Sequence, residues 1–236
     1  MNLCLFKRFM LTRCVPFRCY DQSEDGDGHM PSQNSDKIEL YKAQTQMKID
    51  ELLEEFSQGK INREQFHAVY AHHNAKLKLA EQALDRDDPG IVEMAPGQTY
   101  AIRQAHMAKA IGLMIYHNKS GMYVDTIGYF DIPPQRVAPI LNDFSEMMQG
   151  NRLIDRRIER ITDKGWLLFA AGTYTTVVTL FHNEPSPAQS REIERLHHDF
   201  EVANHGQLTQ SRIDASKLAY PFLVFIQQKL SRENKA

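Results

Sequence analysis

The chain has 236 residues, 42% hydrophobic and 25% charged, and its 28 basic and 30 acidic side chains leave a formal net charge of -2. That length supports one good core, or a core with an accessory module, while the balanced charge argues against a dedicated nucleic-acid binder, which carries a basic stripe to displace counterions. The three cysteines, Cys4, Cys14 and Cys19, are odd in number and form no CxxC pair, so neither a disulfide framework nor a zinc site is expected and a reducing, cytoplasmic setting is the natural inference.

Residues 1–35 are expected to be an extension outside the folded part. Residues 1–20 contain Lys7, Arg8, Arg13 and Arg18 and no acid. Lys7 and Arg8 interrupt any apolar stretch, which makes a secretory signal a poor fit. Three readings stand: an organellar transit peptide, an interfacial membrane anchor with Leu3, Leu5, Phe6 and Phe9 in lipid, or an unstructured leader before a start at Met30. Disorder concentrates at termini, which favours the last. Leu218–Ile226, the apolar stretch near the C-terminus, is broken by Pro221 and too short to span a bilayer.

A helical hairpin is predicted over 36–85. Tyr41, Ile49, Leu52, Leu53 and Phe56 recur at helical spacings. Gly59 supplies a stop, and Asn62 with Gln65 three residues later forms a capping box for a second helix that carries Phe66, Val69, Tyr70, His73 and Leu77. The stretch IDELLEEFSQGKINREQFHAVYAHHNAKL, through its Leu-Leu-x-x-Phe, Gly-Lys-Ile and Glu-x-Phe positions, resembles the SHOCT-like helical module of prokaryotic proteins. The resemblance implies an oligomerisation or docking element; an arm that only packs on the main domain is the equal alternative. Residues 86–98, with two prolines and two glycines, read as a linker.

From residue 99 the pattern turns to strands. Ala110–Tyr116 and Met122–Tyr129 form a hairpin around a turn containing Gly121. Pro133-Pro134 opens a helix bearing Val137, Ile140, Leu141, Phe144 and Met148. The latter part of 152–164, then Trp166–Ala171 and Thr175–Phe181, read as a meander. Trp166 is expected in the core. A last helix runs from Pro187 to a glycine stop at Gly206, and residues 207–236 are predicted as a C-terminal helical tail. The fold class is therefore α+β: a five-stranded antiparallel sheet in the order β-β-α-β-β-β-α with flanking helices, over 99–206.

That order, with RIERITDKGWLLFAAGTYTTVVTLFHNEPSP, resembles the roadblock/dynein light chain and longin group of profilin-like domains; the first helix of the roadblock arrangement is short or missing. The resemblance implies a dimerising platform without catalysis, often serving small Ras-like GTPases. The expected contact residues are Leu52, Phe56, Phe66 and Tyr70 on the arm and Tyr220, Phe222 and Phe225 on the tail. No cofactor, metal or catalytic residue is expected. Phosphate-binding glycine motifs and GxSxG are absent from the sequence. Glu64-x-x-His67 and Glu194-x-x-His197 have di-iron spacing but lie in different modules. Asp125 and Asp131 are read as turn and edge residues. A small-molecule sensor of GAF or PAS type is the runner-up, and a metal-dependent enzyme using the Glu/His pairs comes third.

Overall fold

The computed structural model describes residues 33–93, 97–149, 156–161, 165–210 and 212–222. The expectations for residues 1–32, including the cysteines, the transit and anchor readings and Met30, lie outside the described residues, as do Phe225 and the tail from 223 onward.

Helices α1 (Gln33–Ser57) and α2 (Arg63–Arg86) form the arm. The residues α1 buries, Ile38, Thr45, Ile49 and Leu52, recur at intervals of seven, four and three, which places them on one stripe. The chain reverses at Gly59, whose φ is +69°. Asn62 caps α2 with the predicted reciprocal pair of bonds to Gln65, and Asp87 closes it in the left-handed conformation. The arm has two apolar clusters. Leu52, Ile61 and Val69 lie near the turn, and Ile38, Ala80, Ala83 and Val92 lie at the far end. Val92 belongs to a short helix, α3 (Gly90–Glu93). The predicted linker therefore folds back on the arm, because Ile91 and Val92 have an apolar cluster to join.

After α4 (Thr99–Ala105) come β1 (Ala110–His117), β2 (Tyr123–Gly128), α5 (Pro134–Gln149), β3 (Arg156–Ile161), β4 (Gly165–Ala171), β5 (Thr175–Phe181) and α6 (Pro187–Leu208). The strands make one antiparallel sheet in the order β2-β1-β5-β4-β3. The fold is thus the predicted α+β arrangement, preceded by α4. β5 is central and buried along its whole length, and successive side chains on it serve opposite faces. Val177 and Phe181 join Leu113, Ile115, Leu168 and Ala170 beneath Ile193, Leu196 and Phe200 of α6. Val178 and Leu180 join Leu167 and Phe169 beneath Val137 of α5. The edge strand β3 carries Arg156, Arg157, Glu159 and Arg160, charges that discourage pairing with another chain.

Two expectations need correction. Gly206 does not stop α6, which continues to Leu208. Leu208 is 1% exposed in the α6-side core, and burying a leucine outweighs the roughly 1 kcal/mol that a helical glycine costs. Of the predicted tail, the described residues show the end of α6, the turn Ala215–Lys217 and a helical position at Phe222, and the remainder lies outside the described residues. Asn204 anchors the segment between them, donating to the Ala219 carbonyl at 2.8 Å and accepting from the Ala219 amide at 2.7 Å. Trp166 is only partly buried, with the Arg160 guanidinium 5.8 Å from its ring centroid.

The arm is docked on the sheet domain through side-chain amides. Asn62, 2% exposed, donates to the carbonyls of His106 at 2.9 Å and Glu184 at 2.7 Å while its Oδ1 caps Gln65 at 2.7 Å. Gln65 donates to the Arg103 carbonyl at 2.9 Å. The Gly59 carbonyl accepts from the Ala188 amide at 2.9 Å, which satisfies one of the N–H groups that the first turn of α6 leaves without a helical partner. A Cβ on Gly59 would lie 2.8 Å from the Pro187 Cβ, so this close approach also requires glycine.

Asn62→Asp separates docking from capping. The new carboxylate keeps the acceptor that caps α2 but turns an oxygen, in place of the amide donor, toward two carbonyls. The expected loss is roughly 2–4 kcal/mol in urea unfolding, against almost no loss if Asn62 served only as a cap, since Asp caps as well as Asn.

Candidate functional site

Three aromatic side chains predicted as contact residues stack on one side of the arm. Phe56, in the last turn of α1, lies on Phe66 of α2 with ring centroids 4.6 Å apart and planes 23° apart. Phe66 stacks on Tyr70 at 5.5 Å and 20°. The spacing of four between Phe66 and Tyr70 puts their rings on one helical stripe, and the turn at Gly59 brings Phe56 across to them. The ladder is exposed at its Phe56 end, where Phe56 is 39% and Leu53 45% exposed, while Phe66 and Tyr70 are partly buried. Its base is Leu52, Ile61 and Val69, and Ile102 of α4 packs on the same cluster. Beside Phe56 and Ile102, Glu55 and Arg103 form an ion pair at 2.7 Å. The site thus has an apolar centre and a charged border, the layout of a protein-contact patch.

The other expected contact residues lie elsewhere. Leu52 is fully buried beneath the ladder and supports it from within. Phe222 is 1% exposed and packs on Phe200 at 5.7 Å, so it belongs to this chain's core rather than to a free surface. Tyr220 is partly buried beside Phe200, with its hydroxyl donating to the Ala215 carbonyl at 3.2 Å. Burial, reinforced by the nearby Asp125 carboxylate, holds that phenol well above its usual range.

The Glu/His spacings do not converge. Glu194 points to Arg156 at 3.1 Å, whereas His197 points inward. Among the described residues no group of three or more His, Cys, Asp or Glu side chains is placed to hold a metal ion. Sequence reasoning missed the polar cluster that His197 does join. The carboxylate of Glu201 accepts the backbone N–H groups of Thr173, Tyr174 and Thr175 at 2.7–2.8 Å and the Thr175 hydroxyl at 2.8 Å. Because the Thr175 hydroxyl donates to Glu201, it accepts from His197 Nε2 at 2.8 Å, which assigns the proton to Nε2. A Cβ at Gly172 would collide with the Glu201 carboxylate, so the turn between β4 and β5 is shaped around this anion. Its members are enclosed, with Thr175 at 0%, His197 at 2% and Glu201 at 7% exposure. The cluster therefore fixes a turn and offers no substrate a path to its atoms. The i,i+4 pair His197 and Glu201 was the available signal, but it needs the β4–β5 turn to acquire meaning.

Two imidazoles are held neutral. Burial lowers His197, against the pull of Glu201 in the opposite direction. Burial also lowers His73, to about 4, with help from nearby positive groups. As the pH falls below about 6.5, the unfolded chain takes up protons that the folded chain refuses. Stability is therefore full above that pH and declines below it, by up to about 1.4 kcal/mol per pH unit for each histidine. Urea midpoints measured between pH 7 and pH 5 should fall accordingly, and His197→Gln should flatten the slope whatever it does to absolute stability.

Among the described residues no helix is long and apolar enough to cross a membrane. Comparison of the sequence with protein-family models and with curated proteins returns no match.

Proposed function

We propose that the chain is a protein-binding adaptor or regulator that acts as an oligomer and uses the aromatic ladder of its arm as the contact surface. The observation that carries this reading is the stack Phe56–Phe66–Tyr70, whose outer ring Phe56 is exposed together with Leu53. Rigid aromatic side chains contribute large contact areas at small entropic cost, which is why they dominate the energetics of protein interfaces. An arm that served only to pack on its own sheet would have no need to end its apolar stripe on an exposed Phe56. The resemblance to roadblock and longin domains supports the same class, since the strand order agrees with the one expected of it, and it suggests small Ras-like GTPases as partners.

Sedimentation equilibrium of the full chain tests the reading. The chain should self-associate, and Phe56→Asp should weaken association at least about tenfold, the equivalent of about 1.4 kcal/mol. Leu40 and Met47, 60% and 62% exposed, face away from the ladder, so Met47→Asp should leave association unchanged. A chain that stays monomeric up to about 100 μM, or an association insensitive to Phe56→Asp, would sink the proposal.

A further inference from the structure

The two edges of the sheet are finished differently. On β3, Arg156 and Arg157 are held by Glu194 and Glu159. β2 has one neighbour, β1, and among the described residues no strand lies on its other side. Bonded groups alternate along an antiparallel ladder, and the Tyr129 amide donates to the Ile111 carbonyl of β1 at 3.1 Å. Ile127 and Asp125 therefore bond inward as well, opposite Leu113 and Ile115, and the peptide groups of Thr126 and Gly128 point away from the sheet. The Thr126 amide agrees: it meets no strand carbonyl and donates to the Asp125 carboxylate at 2.7 Å. Asp125 is partly buried and is the one charged residue of β2. Among the described residues no cation lies within ion-pair distance of it. Met122 and Tyr123 at one end of the strand and Tyr129 at the other are 64%, 53% and 66% exposed.

An open strand edge is a template for another extended chain, whose backbone supplies donors and acceptors at the matching repeat. We propose that the β2 edge takes up an extended peptide segment of a partner protein, with a lysine or arginine of that segment placed on Asp125. A carbonyl of the arriving strand replaces the carboxylate at the Thr126 amide, and the freed carboxylate turns to the cation. Main-chain bonds to Thr126 and Gly128 supply affinity, while Asp125 selects the basic residue through a charge-assisted hydrogen bond. Met122, Tyr123 and Tyr129 give apolar contact to the side chains beyond it. Charge decides against a second copy of β2 as the occupant. The strand has no basic residue, so self-pairing in any register would bring a second carboxylate to the edge and leave both without a cation. The surface is separate from the aromatic ladder, and the inference does not rest on self-association through the arm.

The test pans a random nonapeptide library on the full chain. Enriched peptides should carry lysine or arginine at one fixed position among apolar residues. A synthetic copy N-methylated at every second amide should lose binding in one phase of methylation and keep it in the other, since one edge of the peptide faces β2. Asp125→Asn, which keeps a side-chain oxygen and removes the charge, should weaken binding at least about tenfold. Thr126→Pro should abolish binding with little change in melting temperature, because the N–H it removes bonds to no neighbouring strand. The methylated peptides need no change to the protein, so the outcome stands whatever the proline does to folding. Phe56→Asp and Arg157→Ala should bind the peptide as the unaltered chain does, which separates this surface from the arm and from β3. A library that enriches no such peptide, enriched peptides without a basic residue, or binding untouched by Asp125→Asn or by both phases of methylation would overturn the proposal. Self-association of the Phe56→Asp chain that Thr126→Pro abolishes would also overturn it, by giving the edge to a second copy.

Discussion

The Asn62 side chain is the constraint on which the rest of the arrangement depends. One buried amide ends the loop after α1, starts α2 and satisfies the carbonyls of His106 and Glu184. Without those donors, two peptide oxygens at the junction would be enclosed and unpaired, a cost of about 1–3 kcal/mol each. Around it, Gln65, Asn183 and Gln189 bond the Arg103, Ala105, Met107 and Ala108 carbonyls in the same manner. The segment between α4 and β1 therefore hangs on side-chain amides from both sides. A joint of hydrogen bonds specifies orientation more narrowly than an apolar contact of the same size, because donors and acceptors must align. The aromatic ladder inherits its position from this joint, since Phe56 and Phe66 flank the same turn.

What the sequence revealed and what it hid follow from the reach of each interaction. The capping box of Asn62 and Gln65, the turn at Gly59 and the strands Ala110–His117 and Thr175–Phe181 are local, set by neighbours within a few residues, and were legible. The stack of Phe56, Phe66 and Tyr70 was legible as apolar residues at helical spacing but not as geometry, because it needs the hairpin to close. The contacts of Asn62 with Glu184 and of Glu201 with the turn at Thr173 join distant segments, and no spacing rule announces them. The composition of 86–98 suggested a linker because Pro89 and Gly90 obscure Ile91 and Val92, whose burial decides the outcome. Leu52 and Phe222 were expected on a surface for the converse reason: an apolar residue on an amphipathic stripe looks the same whether its partner is another chain or its own.

Glu201 and His73 represent two ways of holding a polar group inside. Glu201 is met by three peptide N–H groups and a hydroxyl, so the interior compensates its charge fully and the β4–β5 turn takes one shape. His73 is enclosed with an open nitrogen and surrounded by cations. The first group is complete within the chain and the second is not. Both residues are almost inaccessible to solvent, so the difference lies in how the interior meets their polar atoms.

The separation between Asn62 and its acceptor Glu184, 122 positions along the chain, has a consequence for the order of events on the ribosome. The helical pair leaves the exit tunnel well before its berth exists, and for the time needed to make the sheet its amide must rely on water. Helices form in microseconds, whereas synthesis adds about 5–20 residues per second. The arm thus waits as a preformed lever for several seconds until the start of α6 emerges. The side chains of Asn62 and Gln65 face solvent during that interval, and their carbonyl partners arrive only with the sheet domain.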